Sequence, residues 1–153
     1  ISDGRAVSAM SLEHYPGMTE QALADIESEA NARWPLTGSL LAGYGNAMPD
    51  GRKSEGLLIA APAGAPVHAV AAGRVVYADW LKGYGMLMVI DHGRGYMSLY
   101  ANNDALVKEV GDSVTAGERI STVGSSGGQG RTALYFEMRL NGQPQNPNGW
   151  LRP

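Results

Sequence analysis

Three groups of residues in this chain have the types and spacing to do chemistry. The first is "GSSGG" at 124–128, which matches G-x-S-x-G and would make Ser126 a nucleophile. That motif needs a strand, a sharp turn and a helix, with a histidine later in the chain. Here a strand-like run follows and the last histidine is His92, so a plain glycine-rich turn is the better reading. Nor is the stretch a P-loop: five residues separate Gly124 from Gly130 and Arg131 stands where Lys belongs. No helix follows whose N-terminus would hold a phosphate.

The second group is the three histidines. His14 lies in the N-terminal segment, His68 at the start of a strand-like run, and His92 in the turn "DHGRG". No H-x-H, H-x-x-x-D or H-E-x-x-H occurs, so no pair lies close in sequence on one face of an element. Such scattered histidines read as surface or turn residues. Asp91, beside His92 and Arg94, reads as a solvated turn charge.

The third group lies in "TALYFEMR", 132–139. Its rhythm is that of a strand, with Leu134 and Phe136 on one face and Tyr135, Glu137 and Arg139 on the other. Tyr84 and Tyr100 lie in or beside other strand-like runs. The bland reading of the polar face is a solvated sheet surface. The sharper one is a recognition patch, because Tyr and Arg dominate interface hot spots.

The elements that must position these groups are mostly β. The chain has 153 residues, enough for one domain with a real core, and 21 are glycine. Apolar runs recur at Leu57–Ile59, Val67–Ala71, Val75–Tyr77, Leu87–Ile90, Met97–Tyr100, Ile120–Val123 and Leu134–Met138. Turn signals such as "PAGAP", "KGYG" and "TAGER" separate them, which predicts a meander or sandwich. Residues 1–33 differ. The first 18 read as a linker or arm, and Thr19–Arg33 as a helix with Thr19 as N-cap. Its apolar stripe of Leu23, Ile26 and Ala30 is too thin to hold a helix alone, so it should dock on something.

A formal net charge of −3 without a basic cluster gives no argument for nucleic acid. The absence of cysteine excludes disulfides, thiol catalysis and thiolate metal sites. No apolar run is long enough to span a membrane. No signal peptide is visible. The chain opens without a start Met, so an upstream signal would lie outside it.

From "WPLTGSLLAGYG" at 34–45 to "NPNGWL" at 146–151 the chain resembles the LytM, lysostaphin-like zinc endopeptidases. The markers are long and in order: "GLLIAAPAGAPVHAVAAGRVVYADWLKGYGMLMVIDHGRGYMSLYA", then "VKEVGDSVTAGERISTVGSSGG", then "LYFEMRLNGQPQNP". The resemblance implies a degenerate LytM domain over 34–153, a mostly β, sandwich-like fold with a groove over a central antiparallel sheet. Active members look like H-x-G-x-D, then Y-x-H, then H-x-H before Phe-Glu. This chain has Ser54 and Leu58 at the first motif, Asn102 at the second, and Ala133 and Tyr135 at the third. A catalytic zinc needs three N or O donors and an open position for water. Leu58 and Ala133 have no donor, so the expectation is no bound metal, no cofactor and no peptidase activity.

Within the family the chain looks most like the EnvC-type murein hydrolase activators. That implies a periplasmic factor at the division septum that activates N-acetylmuramoyl-L-alanine amidases. An upstream coiled coil would link it to an FtsEX-type transporter complex. The groove positions expected to bind the amidase are Ser54, Glu55, Leu58, Tyr84, Leu87, Tyr100, Asn102, Tyr135 and Arg139. Arg139 would offer a bidentate hydrogen bond to a partner carboxylate, and a partner's amphipathic helix or loop would lie on the apolar residues. The N-terminal arm would cover the groove until displaced. The alternative is a peptidoglycan-binding or residually active metallopeptidase domain, with an unusual metal at Ser54, Asn102 or the histidines.

Overall fold

The computed structural model describes residues 34–127 and 131–147. The expected arm and its helix over 19–33 lie outside the described residues, as does His14. Ten strands follow from Ser39 onward. They are β1 (Ser39–Ala42), β2 (Leu57–Ala60), β3 (Pro66–His68), β4 (Gly73–Leu81), β5 (Gly85–Gly93), β6 (Tyr96–Leu106), β7 (Ser113–Val114), β8 (Arg119–Val123), β9 (Ala133–Leu140) and β10 (Gln143–Gln145). Each apolar run named above meets a strand, although Val67–Ala71 runs three residues past the end of β3. Hydrogen bonding carries several strands past their apolar centres, and on β5 and β6 burial continues there into polar residues.

All pairings are antiparallel, in the order β1-β2-β9-β6-β5-β4-β7. Strands β4, β5 and β6 form a meander, and β9 then enters between β6 and β2. β6 serves two neighbours. Tyr96–Ala101 pair with β9, whereas Asn103–Leu106 pair with β8, which in turn pairs with β3. The switch occurs at Asn102, whose φ of 70° lies in the left-handed region that Asn tolerates better than most residues. Through this bend the β3–β8 ribbon turns away from the central sheet.

The main core fills the space so enclosed. Leu57 and Ile59 of β2, Met88 and Ile90 of β5, Leu134, Phe136 and Met138 of β9, and Val67, Ile120 and Val123 of the ribbon are all buried within it. Their spacing of two within each strand puts the residues between them on the opposite face.

Four residues break the sequence expectation. His92 is no turn residue: it ends β5 fully buried, its Nδ1–H donating to the Ala72 carbonyl at 2.7 Å. Asp91 is equally buried and accepts the Gly93 N–H at 2.9 Å. Tyr100 does not line the groove. It is fully buried in the main core, its ring 5.3 Å from that of Phe136. Its hydroxyl accepts the Val70 N–H at 3.1 Å and sits 2.8 Å from Ser98 Oγ. Parity on β6 decides this, since Leu99 and Ala101 face the other way. His68 ends β3 rather than starting it, and its Nδ1 lies 3.1 Å from the Gly117 carbonyl.

Phe136 is the largest apolar side chain in the strand that joins the two halves of the sheet. Phe136→Ala should lower stability by about 3–5 kcal/mol, the usual cost of emptying a buried phenyl site, measured by urea denaturation.

Candidate functional site

The positions that the resemblance marks as ligands do meet in space. In the ladder between β2 and β9, Leu58 stands opposite Tyr135 and Ala60 opposite Ala133. From the other side of β9, Ala101 stands opposite Tyr135. Ser54 lies just before β2, and Asn102 follows Ala101 at the bend. The result is a cleft of about 420 Å³ whose walls include Met48, Ser54, Glu55, Leu58, Tyr84, Asn102 and Tyr135.

Most of these side chains already have work inside the protein. The Ser54 hydroxyl donates to the Gly56 carbonyl at 2.8 Å. Leu58 and Ala133 pack with Ala42 and Met48 into a small apolar cluster, and the Tyr135 ring lies against it. Met48 is held there by the loop between β1 and β2, through the Met48 N–H to Arg52 carbonyl bond of 2.7 Å. The Asn102 amide donates towards three carbonyls, those of Gly124, Arg131 and Ala133, at 3.1, 3.2 and 2.7 Å. Its Oδ1 accepts the Gly127 N–H at 2.6 Å. Asn102 is therefore a strut that ties the glycine-rich loop to β9, and its polar atoms do not present themselves to a partner.

Ser126 belongs to the same loop. Its hydroxyl donates to the Asn103 carbonyl at 2.5 Å and accepts the Met86 N–H at 2.9 Å. Gly85 makes room for it: at φ 71° a side chain there would be strained, and a Cβ would stand 2.5 Å from Ser126 Oγ. Ser126 is a loop anchor, as the plain-turn reading expects.

A second depression adjoins the first across Tyr84. This trough, about 610 Å³, is lined by Val76, Tyr77, Leu87, Val89, Met97 and Leu99, with Arg139 and Asp91 among its walls. Its floor is the face of β5 and β6 opposite the main core. The hairpin joining β4 and β5 rises beside it, carrying Trp80 at 55 % exposure and Leu81 at 40 %. Of the residues expected in the groove, the structure places Ser54, Glu55, Leu58, Asn102 and Tyr135 in the first cleft and Leu87 and Arg139 in the trough, with Tyr84 in both. Tyr100 is in neither. Sequence reasoning missed Met48, Val89, Met97 and Leu99. The apolar residues of β5 and β6 occupy both faces, so alternation alone does not say which ones look outward.

The comparisons with known proteins agree with this geometry. A family model described as peptidase family M23 matches residues 52–147. The chain belongs to peptidase family M23. It is 49 % identical over 120 residues to the murein hydrolase activator EnvC of Escherichia coli, covering 78 % of this chain and 29 % of EnvC. It is 42 % identical to the murein hydrolase activator NlpD of Salmonella dublin, covering 78 % and 31 %. The chain thus spans less than a third of these relatives. Among solved structures it is similar to the antimicrobial peptidase lysostaphin from Staphylococcus simulans. That match has a TM-score of 0.70 and 27 % identity, and covers 81 % of this chain and 53 % of lysostaphin. A second model, described as MoaE protein, matches residues 1–47 and ends before the M23 match begins.

An M23 fold raises the question of a metal, and the residues present do not fit one. Two of the five positions carry only hydrocarbon. The Ser54 hydroxyl is tied to its own turn, and the Asn102 amide is committed to backbone. The Tyr135 hydroxyl donates to Glu137 Oε2 at 2.5 Å. Among the described residues no group of three or more His, Asp or Glu comes together in a way that would hold an ion.

Electrostatically the site is organised by Glu137. It is 1 % exposed, yet it keeps its partners on its own strand face: Tyr135 through Oε2, and the Arg139 Nε–H through Oε1 at 2.7 Å. Burial first, and then the Glu137 bond and charge, push the Tyr135 phenol well above its ordinary range. Burial likewise raises Tyr100. For Arg139, burial works against the charge, but the Glu137 bond and charge outweigh it and hold the guanidinium up. Arg139 therefore spends its Nε on Glu137 and one Nη1 hydrogen on the Gly142 carbonyl at 3.5 Å, and a partner carboxylate would meet its terminal nitrogens.

Two outcomes follow. Asn102→Ala removes a strut with four backbone partners from a positive-φ position, and should cost about 2–4 kcal/mol in denaturant unfolding. The raised tyrosines fix an alkaline limit. Both stay protonated in the folded state while the unfolded chain ionises its phenols, so their contribution is intact below about pH 10 and lost above it. Melting temperatures from pH 9 to 11.5 should be flat at first and then fall, and Tyr135→Phe should shallow the fall.

Proposed function

We propose that this M23 domain is a non-enzymatic activator of N-acetylmuramoyl-L-alanine amidases, working in the cell envelope at the division septum. The observation that carries the reading is the condition of the five ligand positions. All are filled by hydrocarbon or by polar atoms bound to their own fold, while the adjoining surface is apolar and open. A hydrolase needs an activated water in a polar cage. An activator needs a shaped face for another protein, and the cleft and trough together supply one. The activator names of EnvC and NlpD support the reading, and murein itself places such a factor in the envelope.

The docking element best suited to the trough is a short amphipathic helix. From Leu87 to Asp91 the floor is about 13 Å long at roughly 3.4 Å per residue, or some two and a half helical turns. Apolar residues along one face of such a helix would cover Leu87, Val89 and Leu99. An acidic residue at one end would meet Arg139. The link to an FtsEX-type transporter belongs to the same proposal and would reside in sequence beyond this domain. The N-terminal arm would cover the groove until displaced; it lies outside the described residues, and residues 1–47 match the model described as MoaE protein.

The test is dye release from labelled sacculi by a periplasmic amidase, with and without the purified chain, alongside metal analysis. The chain alone should release nothing and carry no stoichiometric zinc, and should raise release by the amidase. Tyr135→Ala and Arg139→Glu should each reduce that gain by tenfold or more, about the size of a hot-spot loss. Stoichiometric zinc with cleavage by the chain alone would establish the residual peptidase instead. Normal activation by both variants would remove the groove from the mechanism.

A further inference from the structure

Two buried carboxylates border the site, Asp91 in the trough and Glu137 on β9, and the placement of the two Glu137 oxygens has a consequence for how a partner is met. A buried carboxylate is costly unless both oxygens are satisfied. Here one oxygen takes the Tyr135 hydroxyl at 2.5 Å and the other the Arg139 Nε–H at 2.7 Å. The three residues alternate along one face of β9, so the carboxylate sits between the two side chains it binds.

Its own position is imposed by packing. Leu99 stands opposite Glu137 on β6. On the β2 side lies Gly56, where an added Cβ would come within 2.9 Å of Glu137 Cγ and 2.0 Å of the Phe136 carbonyl. The bare glycine backbone is what lets the carboxylate lie flat between its neighbours. Held in this way, Glu137 has one place to put its oxygens, and Tyr135 and Arg139 must come to them.

We propose that Glu137 is a positioning residue that makes Tyr135 and Arg139 a single preorganised recognition element, with the partner group it selects being a carboxylate taken end-on by the terminal Arg139 nitrogens. Arg139 has a long side chain with large rotamer entropy, and ordering it on binding would weaken the contact. The Glu137 bond orders it beforehand, a longer bond from Nη1 to the Gly142 carbonyl at 3.5 Å adds to that, and the side chain so held lines the trough. The Tyr135 hydroxyl is turned inward by the same carboxylate, leaving the ring as the surface offered to the cleft. The proposal rests on the activator reading for its partner, but the geometry is testable without one.

The experiment uses the full 153-residue chain with Glu137→Ala and Glu137→Gln, the second preserving volume and one acceptor. The first readout is hydrogen exchange at the Arg139 Nε–H by nitrogen-edited NMR. It should be slow in the wild type, fast in Glu137→Ala and intermediate in Glu137→Gln. The second is the concentration of chain that half-activates an amidase responsive to the wild type. Glu137→Ala should raise it about tenfold, a typical hot-spot loss. The triple variant Glu137→Ala, Tyr135→Ala and Arg139→Ala should be no worse than Tyr135→Ala with Arg139→Ala, because Glu137 acts through those two side chains. Thermal melts identify any variant that fails to fold, and Glu137→Gln then carries the comparison. Unchanged exchange in Glu137→Ala, or a further loss in the triple variant, would overturn the proposal. A wild-type chain that activates no amidase would instead sink the activator reading, with the exchange result still deciding whether Glu137 holds Arg139.

Discussion

Strand β9 is hydrogen-bonded along both edges, to β2 on one side and to β6 on the other, and the rest of the molecule depends on that placement. A strand in this position has no freedom of register, because a slip of one residue would turn Leu134, Phe136 and Met138 out of the main core. The same alternation then fixes Ala133, Tyr135, Glu137 and Arg139 on the opposite face. Core and candidate site are thus two sides of one strand. The burial that stabilises the first sets the geometry of the second to within a side-chain rotamer.

Much of this was legible in the sequence because period-two alternation is strongest where one face is buried. "LYFEMR" announces its two faces without help, and the apolar runs locate seven of the ten strands. Where both faces of a strand are apolar the signal fails. On β6, Met97 to Ala101 are all buried whichever way they point, so parity could not tell that Tyr100 looks into the main core and Leu99 into the trough. His92 and Asp91 were misread for a related reason. Polar residues near a glycine-rich turn look solvated in sequence, and only the fold shows that β5 runs on past them into the interior.

Asn102 shows a different limit. Its identity suggested a lost ligand, and its neighbourhood suggested a groove surface. What it does depends on a left-handed backbone bend and on four backbone groups, all more than twenty residues away in sequence: those of Gly124, Gly127, Arg131 and Ala133. No local pattern encodes such a strut. The same holds for Gly56, which the family motif explains as part of a ligand spacing and the structure explains as clearance for the Glu137 carboxylate.

The consequence for the site is that its ligand positions are occupied rather than merely stripped. Removing metal donors from a polar cage would leave neighbours with unpaired buried groups, each costing a kilocalorie or more. Here no buried side-chain nitrogen or oxygen among the described residues lacks a partner. Leu58 and Ala133 have joined Met48 and Ala42 in a dry cluster, Asn102 has taken up backbone, and Glu137 has acquired a donor for each of its oxygens. Such a site resists a return to metal binding, since restoring imidazoles at 54, 102, 133 and 135 would break the cluster, the strut and the Tyr135 bond together. It also gains a rigid surface, because side chains that satisfy one another do not need water or a partner to hold their shape.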